Sequence, residues 1–275
     1  MPARIVLDGT AYRHVRTYKH DFFAATGLYE SDRRRAILKL GRTARLLGLP
    51  MTWLGRWLTG RELAIYRALE GVKGVPHCLG CWGETGMVHV FVEGHPLQRR
   101  EWVDDAFFSR LQRLLDELHK RGIAYADLEK RENILVDAQG KPALIDFQIA
   151  WWWPADGHAP GRRLQRWIPG WLGRQILYKL QAADRYHLLK HHRRHRPDGL
   201  TPEQMKVSYR RGSFVEIHRR LFRPFTLVRR TVLKWLTGEP RSPKQDGPDF
   251  VDPSLPPPMA PVGPDAREDA SKNSN

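Results

Sequence analysis

Two short apolar runs, 133–136 and 143–145, flank an Asp137-Ala138-Gln139-Gly140 turn, and each outer end carries an oxygen-bearing side chain. Those end residues are Asn133 and Asp146. The pattern is that of a tight β-hairpin, and a tight hairpin brings its two ends together. A carboxamide and a carboxylate held side by side in this way can share one hard cation through oxygen ligands. Asp146 also sits within Ala143-Leu144-Ile145-Asp146-Phe147-Gln148-Ile149-Ala150, where a carboxylate is costly to bury without a partner.

The elements around the hairpin can be read from periodicity. Upstream, Phe107, Phe108, Leu111, Leu114, Leu115 and Leu118 form an apolar stripe at helical spacing, with Arg110, Arg113, Asp116 and Glu117 off it. That helix ends near Gly122, and Asp127 follows it. Earlier still, 18–30 reads as strand ending in a Thr26-Gly27 turn signal, and 35–40 is a short apolar strand carrying Lys39 near its end. Residues 61–69 have helical spacing, with Leu63, Tyr66 and Leu69 on one face, and 86–93 is a strand broken by Glu93-Gly94-His95-Pro96. Beyond the hairpin, 164–236 is mostly helical in pattern and heavily basic. Strands first and helices afterwards predict an α+β fold of two lobes, 1–94 and 95–238.

Phosphoryl transfer asks little covalent chemistry of a protein. A carboxylate meets the acceptor hydroxyl, oxygen ligands hold magnesium, and a fixed cation grips the nucleotide phosphates. Asp127, Asn133 and Asp146 are placed to supply the first two.

At this point the residues resemble a family. Tyr125-Ala126-Asp127-Leu128-Glu129-Lys130-Arg131-Glu132-Asn133-Ile134-Leu135-Val136 resembles the protein-kinase catalytic loop, and Leu144-Ile145-Asp146-Phe147-Gln148 resembles its magnesium-binding Asp-Phe-Gly motif. Ala36-Ile37-Leu38-Lys39 resembles the Val-Ala-Ile-Lys strand, and Glu62 lies on the next helix where the lysine's partner belongs. The resemblance covers roughly 18–194. It implies a two-lobed protein-kinase-like fold using ATP and Mg2+. Asp127 would orient and deprotonate the acceptor, with Lys130 or Arg131 neutralising the transferred group. Asn133 and Asp146 would hold the metal, Lys39 would contact the phosphates, and Glu62 would hold Lys39. Residues 93–97, starting at Glu93, would form the adenine-binding hinge, and Asp184 would buttress the catalytic loop.

This chain departs from the pattern in several places. Five residues separate Asp127 from Asn133 where the kinase loop has four, so either Asn133 keeps the ligand position behind a bulge or Glu132 takes it. The intact Asn-Ile-Leu-Val register favours Asn133. Ala126 replaces the phosphate-sensing arginine, Gln148 replaces the motif's glycine, no glycine-rich loop is recognisable, and no activation segment follows. These losses resemble the small bacterial kinase-like proteins, namely lipopolysaccharide core sugar kinases and RIO-type atypical kinases.

Charge narrows the partners. The net charge is +16, and residues 239–275 hold seven acids and four bases, leaving about +19 on the rest. Nine of the 20 prolines fall in that last stretch, which reads as a disordered tail. A surface this basic suits anionic partners. Trp151-Trp152-Trp153, Trp167 and Trp171, interleaved with Arg162, Arg163, Arg166 and Arg174, suit an anionic membrane surface or, equally, a buried aromatic cluster. The run Lys190-His191-His192-Arg193-Arg194-His195-Arg196 suits phosphates of lipid or RNA, or a solvated helix end. Cys78 and Cys81, with His77, fall short of the four ligands zinc wants. With no apolar leader or spanning segment, the expectation is a cytoplasmic protein, peripheral at most to the membrane. The favoured function is phosphoryl transfer to a hydroxyl on a glycolipid sugar or a protein Ser/Thr. The alternatives are a pseudokinase and a RIO-like RNA-associated factor.

Overall fold

The computed structural model describes residues 1–20, 24–41, 52–154 and 168–209. Its first strands follow from local chemistry. Asp8 and Gly9 both adopt left-handed backbone, φ 46° and 74°, the type I′ turn that an Asp-Gly pair favours. That turn pairs β1 (Arg4–Leu7) with β2 (Thr10–His20), Leu7 opposite Thr10. With β3 (Ala24–Glu30), β4 (Arg35–Gly41), β5 (Cys78–Trp82) and β6 (Gly86–Val90), they form an antiparallel sheet ordered β1-β2-β3-β4-β6-β5. Alternation divides β4 between two faces. Ala36 and Leu38 pack with Ile5, Tyr12, Tyr29 and Val88, which leaves Lys39 on the opposite face.

The Thr26-Gly27 turn expected from sequence is not there. Both residues lie inside β3, Thr26 opposite Lys39 and Gly27 opposite Leu38. A Cβ on Gly27 would stand 2.6 Å from Met1 Cε, the end of a flexible side chain that can move aside, so the strand does not demand glycine here. The cysteines lie on β5, where Cys78 Sγ is 3.6 Å from the Val88 carbonyl and Cys81 is exposed.

Helix α1 (Thr52–Ala68) packs on the sheet and begins well before the periodic stretch at 61–69. Gly55 and Gly60 weaken its N-terminal half as a sequence signal. Leu63, Ile65 and Tyr66 enter the main core along with Leu69 just beyond the helix end.

The second lobe is reached through residues 91–93. β7 (Gly94–Pro96) pairs with β9 (Ile134–Asp137), which pairs with β10 (Pro142–Leu144) as the expected hairpin. Helix α2 (Phe107–Lys120) buries all six residues of its predicted stripe, each worth about 1.5–3 kcal/mol when fully buried. Strand β8 (Ile123–Ala124) pairs with β11 (Trp151–Trp152), and the lobe continues into α3 (Gly170–His195) and α4 (Pro202–Tyr209). The architecture is the expected α+β arrangement of a sheet lobe followed by a helical lobe.

The tryptophan triplet takes the buried alternative. Trp153 is 4% exposed and clusters with Ala124 and Leu177, while Trp151 stacks on it at 6.2 Å. A Cβ on Gly173 would come within 2.3 Å of the Trp153 ring, so only glycine lets α3 approach this closely. Trp167, Arg162, Arg163, Arg166 and the Pro-rich stretch 239–275 lie outside the described residues.

Candidate active site

The cleft between the lobes is organised around Lys39. Its Nζ donates to Glu62 Oε1 at 2.9 Å and to Asp146 Oδ1 at 2.6 Å. One ammonium therefore ties β4, α1 and the residue beyond β10 together. The side chains of Lys39 and Glu62 are 14% and 4% exposed, and that of Asp146 is 35% exposed. Lys39, Gly41, Thr59, Glu62, Met87 and Gln148 line a small open cavity beside this bridge.

On the far side, Asp127 Oδ2 accepts from Lys130 Nζ at 2.7 Å and from Asn133 Nδ2 at 2.8 Å. The extra residue in the loop is absorbed by a single 3-10 turn, Arg131–Asn133, which buries Asn133 and leaves Glu132 exposed. Arg131, at the start of that turn, is half-buried, and Lys130 is largely exposed. With Nδ2 committed to Asp127, the oxygen of Asn133 is the atom left to act as a ligand. The Ile145 N–H donates to the Asn133 carbonyl at 3.2 Å, so the hairpin ends meet as expected. A carboxamide oxygen and a carboxylate, completed by nucleotide phosphates, form the donor set that suits magnesium.

Two non-glycine residues of the cleft are left-handed, Ala126 at φ 64° and Asp146 at φ 60°. Such conformations cost about 1–3 kcal/mol each and persist only where the surroundings over-determine them. Asp184 on α3 supplies that force at Ala126, accepting from the Tyr125 and Ala126 N–H groups at 2.8 Å each. His119 Nε2 meets the same carboxylate at 3.1 Å. At Asp146 the Lys39 bond and the Gln148 N–H, 3.4 Å from Oδ1, hold the carboxylate.

An aromatic column runs behind the site and joins the lobes. Phe147 meets Tyr66 of α1 at 5.0 Å and Tyr125 at 5.2 Å, both edge-to-face. The Tyr125 hydroxyl donates to the Ile145 carbonyl.

The charges follow from this packing. Burial draws Lys39 down, but Glu62 and Asp146 outweigh it and hold its pKa above the ordinary lysine value. Burial also opposes ionisation of Asp146, yet Lys39 keeps its pKa below the ordinary range. Glu62 is raised, because burial exceeds the pull of a lysine it must share with Asp146. The direction that governs the bridge is therefore the cation on Lys39 and the anion on Asp146. The stabilisation from Asp146 is lost only as pH falls through its lowered pKa, and that from Lys39 only as pH rises through its raised one, so the bridge persists across neutrality. Asp127 is raised, since burial exceeds the help of Lys130 and Asn133.

The Glu93 side chain lies outside the cleft in an ion pair with Arg35, and its carbonyl accepts from the Ala138 N–H at 2.8 Å. The basic run 190–196 is largely engaged within the fold. Lys190 pairs with Glu129 at 3.1 Å, His191 bonds the Leu128 carbonyl at 2.8 Å and His192 stacks on Phe108 at 4.5 Å. Arg193 donates to the Ser208 carbonyl at 2.9 Å, and Arg196 donates to that of Val103 at 3.0 Å. Sequence reasoning missed the contacts of His119 and His191, whose partners lie far away along the chain.

No protein-family model matches this chain, and no curated protein sequence is similar to it. Among solved structures it is similar to the Rio2 kinase of Chaetomium thermophilum in its ADP/Mg2+-phosphoaspartate complex. That match has 19% identity and a TM-score of 0.41, covering 71% of this chain and 69% of that one. A second structure of that kinase gives 19% identity and 0.41, covering 71% of each chain.

Proposed function

We propose that this protein is an ATP- and magnesium-dependent phosphotransferase, an atypical kinase that moves the γ-phosphoryl group onto a hydroxyl. The observation that carries the reading is the convergence of Lys39, Glu62 and Asp146 on one ion-paired cluster, with Asp127 and Asn133 across the same cleft. Lys39 is the fixed cation for the nucleotide phosphates, and Glu62 keeps it aimed. Asn133 and Asp146 would hold magnesium, which when bound neutralises charge on the phosphate oxygens. Asp127 orients the acceptor hydroxyl and takes its proton. The acceptor oxygen bonds to the γ-phosphorus as the bond to the β–γ bridging oxygen breaks, and ADP departs. Lys130, in contact with Asp127, neutralises the group in transit. Glu93 contributes to the hinge through its backbone.

Thermal shift tests the nucleotide half directly. ATP with magnesium is expected to raise the melting temperature clearly, and ATP without it only slightly, because the Asp146 carboxylate then faces the phosphates unscreened. Equal shifts with and without the metal, in a chain that transfers no phosphate, would move the reading to a pseudokinase.

For the acceptor we propose a hydroxyl on a membrane-associated glycolipid sugar, met at the cytoplasmic face of a bilayer. A protein Ser/Thr is the competing acceptor. Support comes from α3, whose exposed residues include Trp171, Leu172, Arg174, Tyr178 and Arg185, with no acid anywhere in 170–183. The internal engagement of run 190–196 favours this surface over an RNA contact. The protein is expected to sediment with vesicles containing anionic lipid and to be largely released by salt, each basic residue near the surface contributing about 1 kcal/mol. Arg174→Glu with Arg185→Glu should abolish sedimentation and spare ATP hydrolysis. Equal partitioning to neutral and anionic vesicles would refute the electrostatic part.

A further inference from the structure

We propose that His191 is a positioning residue for the catalytic loop, fixing the Leu128–Glu129 peptide just beyond Asp127 as Asp184 fixes the peptides that precede it. The inference rests on the phosphotransferase reading for its effect on turnover, but not for its geometry. His191 lies on α3 with no solvent exposure, and its Nε2 is 2.8 Å from the Leu128 carbonyl. A carbonyl only accepts, so Nε2 carries the proton. Nδ1 is buried without a hydrogen-bond partner, which suits a bare ring nitrogen better than an N–H. Burial pushes the ring pKa down to about 4 despite the Leu128 hydrogen bond, with nearby His195, His187 and Lys190 adding to the lowering, so the imidazole is neutral.

The spacing explains why one helix holds both sides of the loop. Asp184 and His191 are separated by two turns of α3 and share a face, about 10 Å apart along the axis. Asp184 binds the N–H groups of Tyr125 and Ala126, and His191 binds the carbonyl of Leu128. Asp127 is suspended between these anchors with its carboxylate turned toward Lys130 and Asn133. Lys190 adds a tether at Glu129. Losing the His191 bond frees one side of the suspension, and small displacements of a reacting group carry large rate penalties.

The test compares His191→Phe, which keeps the ring and loses the donor, with His191→Gln, which keeps a donor at similar reach, both assayed well below their melting temperatures. His191→Phe should lower kcat at least about tenfold with KM for ATP within about twofold, and His191→Gln should recover at least about a third of the wild-type kcat. Nitrogen-15 spectra of the wild type should show the His191 Nε2–H tautomer from pH 5.5 to 8, independent of any activity. Hydrogen exchange at the Tyr125 and Ala126 amides should stay slow in His191→Phe. Full kcat in His191→Phe, or equal losses in both variants, or an Nδ1–H tautomer, would overturn the proposal. If the wild type transfers no phosphate, the phosphotransferase reading fails by itself, and the tautomer and exchange measurements still decide whether the anchor exists.

Discussion

Asp127→Asn should reduce phosphate transfer by about a thousandfold, in the range for losing a general base, while ATP affinity stays within a few-fold of wild type. The split is expected because, in the proposed roles, Asp127 would face the acceptor, whereas Lys39, Asn133 and Asp146 would serve the nucleotide and its metal. Asparagine is isosteric, and its carbonyl can still accept from Lys130 and Asn133, so the fold should hold. The same residue sets the acid side of the pH profile. Burial holds the Asp127 pKa above the ordinary aspartate value, and Lys130 is the strongest influence in the other direction. Activity should therefore fall as pH drops through a pKa above that of a free aspartate, and Lys130→Met should move that limb further up. A variant at 127 that keeps most of its turnover, or a limb that ignores Lys130, would show that the catalytic loop has been misassigned.

Lys39→Met should have the second large effect, and on two properties at once. Removing the ammonium leaves Glu62, 4% exposed, facing Asp146 with no cation between them. Breaking a buried pair from one side costs about 3–5 kcal/mol, because the surviving charge stays in a poor solvent. The expected result is a clear drop in melting temperature together with a loss of kcat/KM on the order of 10²–10³. The double variant Lys39→Met with Glu62→Gln removes the stranded carboxylate and should regain most of the stability without regaining activity. Denaturant melts and transfer assays on both variants check this. A double variant that recovers transfer would show that the bridge serves folding alone.

The parts of this molecule legible in its sequence were those with a short-range signal. The Asp137–Gly140 turn and the α2 stripe each announce themselves within about a dozen residues, and both are present as read. Lys39 and Glu62 are legible only through the family resemblance of the strand and helix that carry them, and they meet at 2.9 Å. What stayed hidden was either masked by glycine or made by distant packing. Gly55 and Gly60 conceal the first half of α1, and Thr26-Gly27 imitates a turn inside β3. The triple tryptophan is equally readable as interfacial or buried, because sequence does not show that Gly173, 20 residues on, leaves room to bury Trp153. The basic run 190–196 looked free for the same reason, since its carbonyl and carboxylate partners come from other parts of the chain.

The bridge at Lys39 also bears on the order in which ligands arrive. In the free chain the lysine already occupies Asp146, where on the proposed reading it would stand in for the divalent ion. Magnesium alone must compete with a covalently tethered counter-ion at very high local concentration. A bound nucleotide would offer that ammonium a new set of oxygens and draw it away, uncovering the carboxylate. On that reading metal entry would be conditional on phosphate, and the resting protein would be guarded against loading the cation by itself. In the thermal-shift experiment this appears as no response to magnesium without ATP.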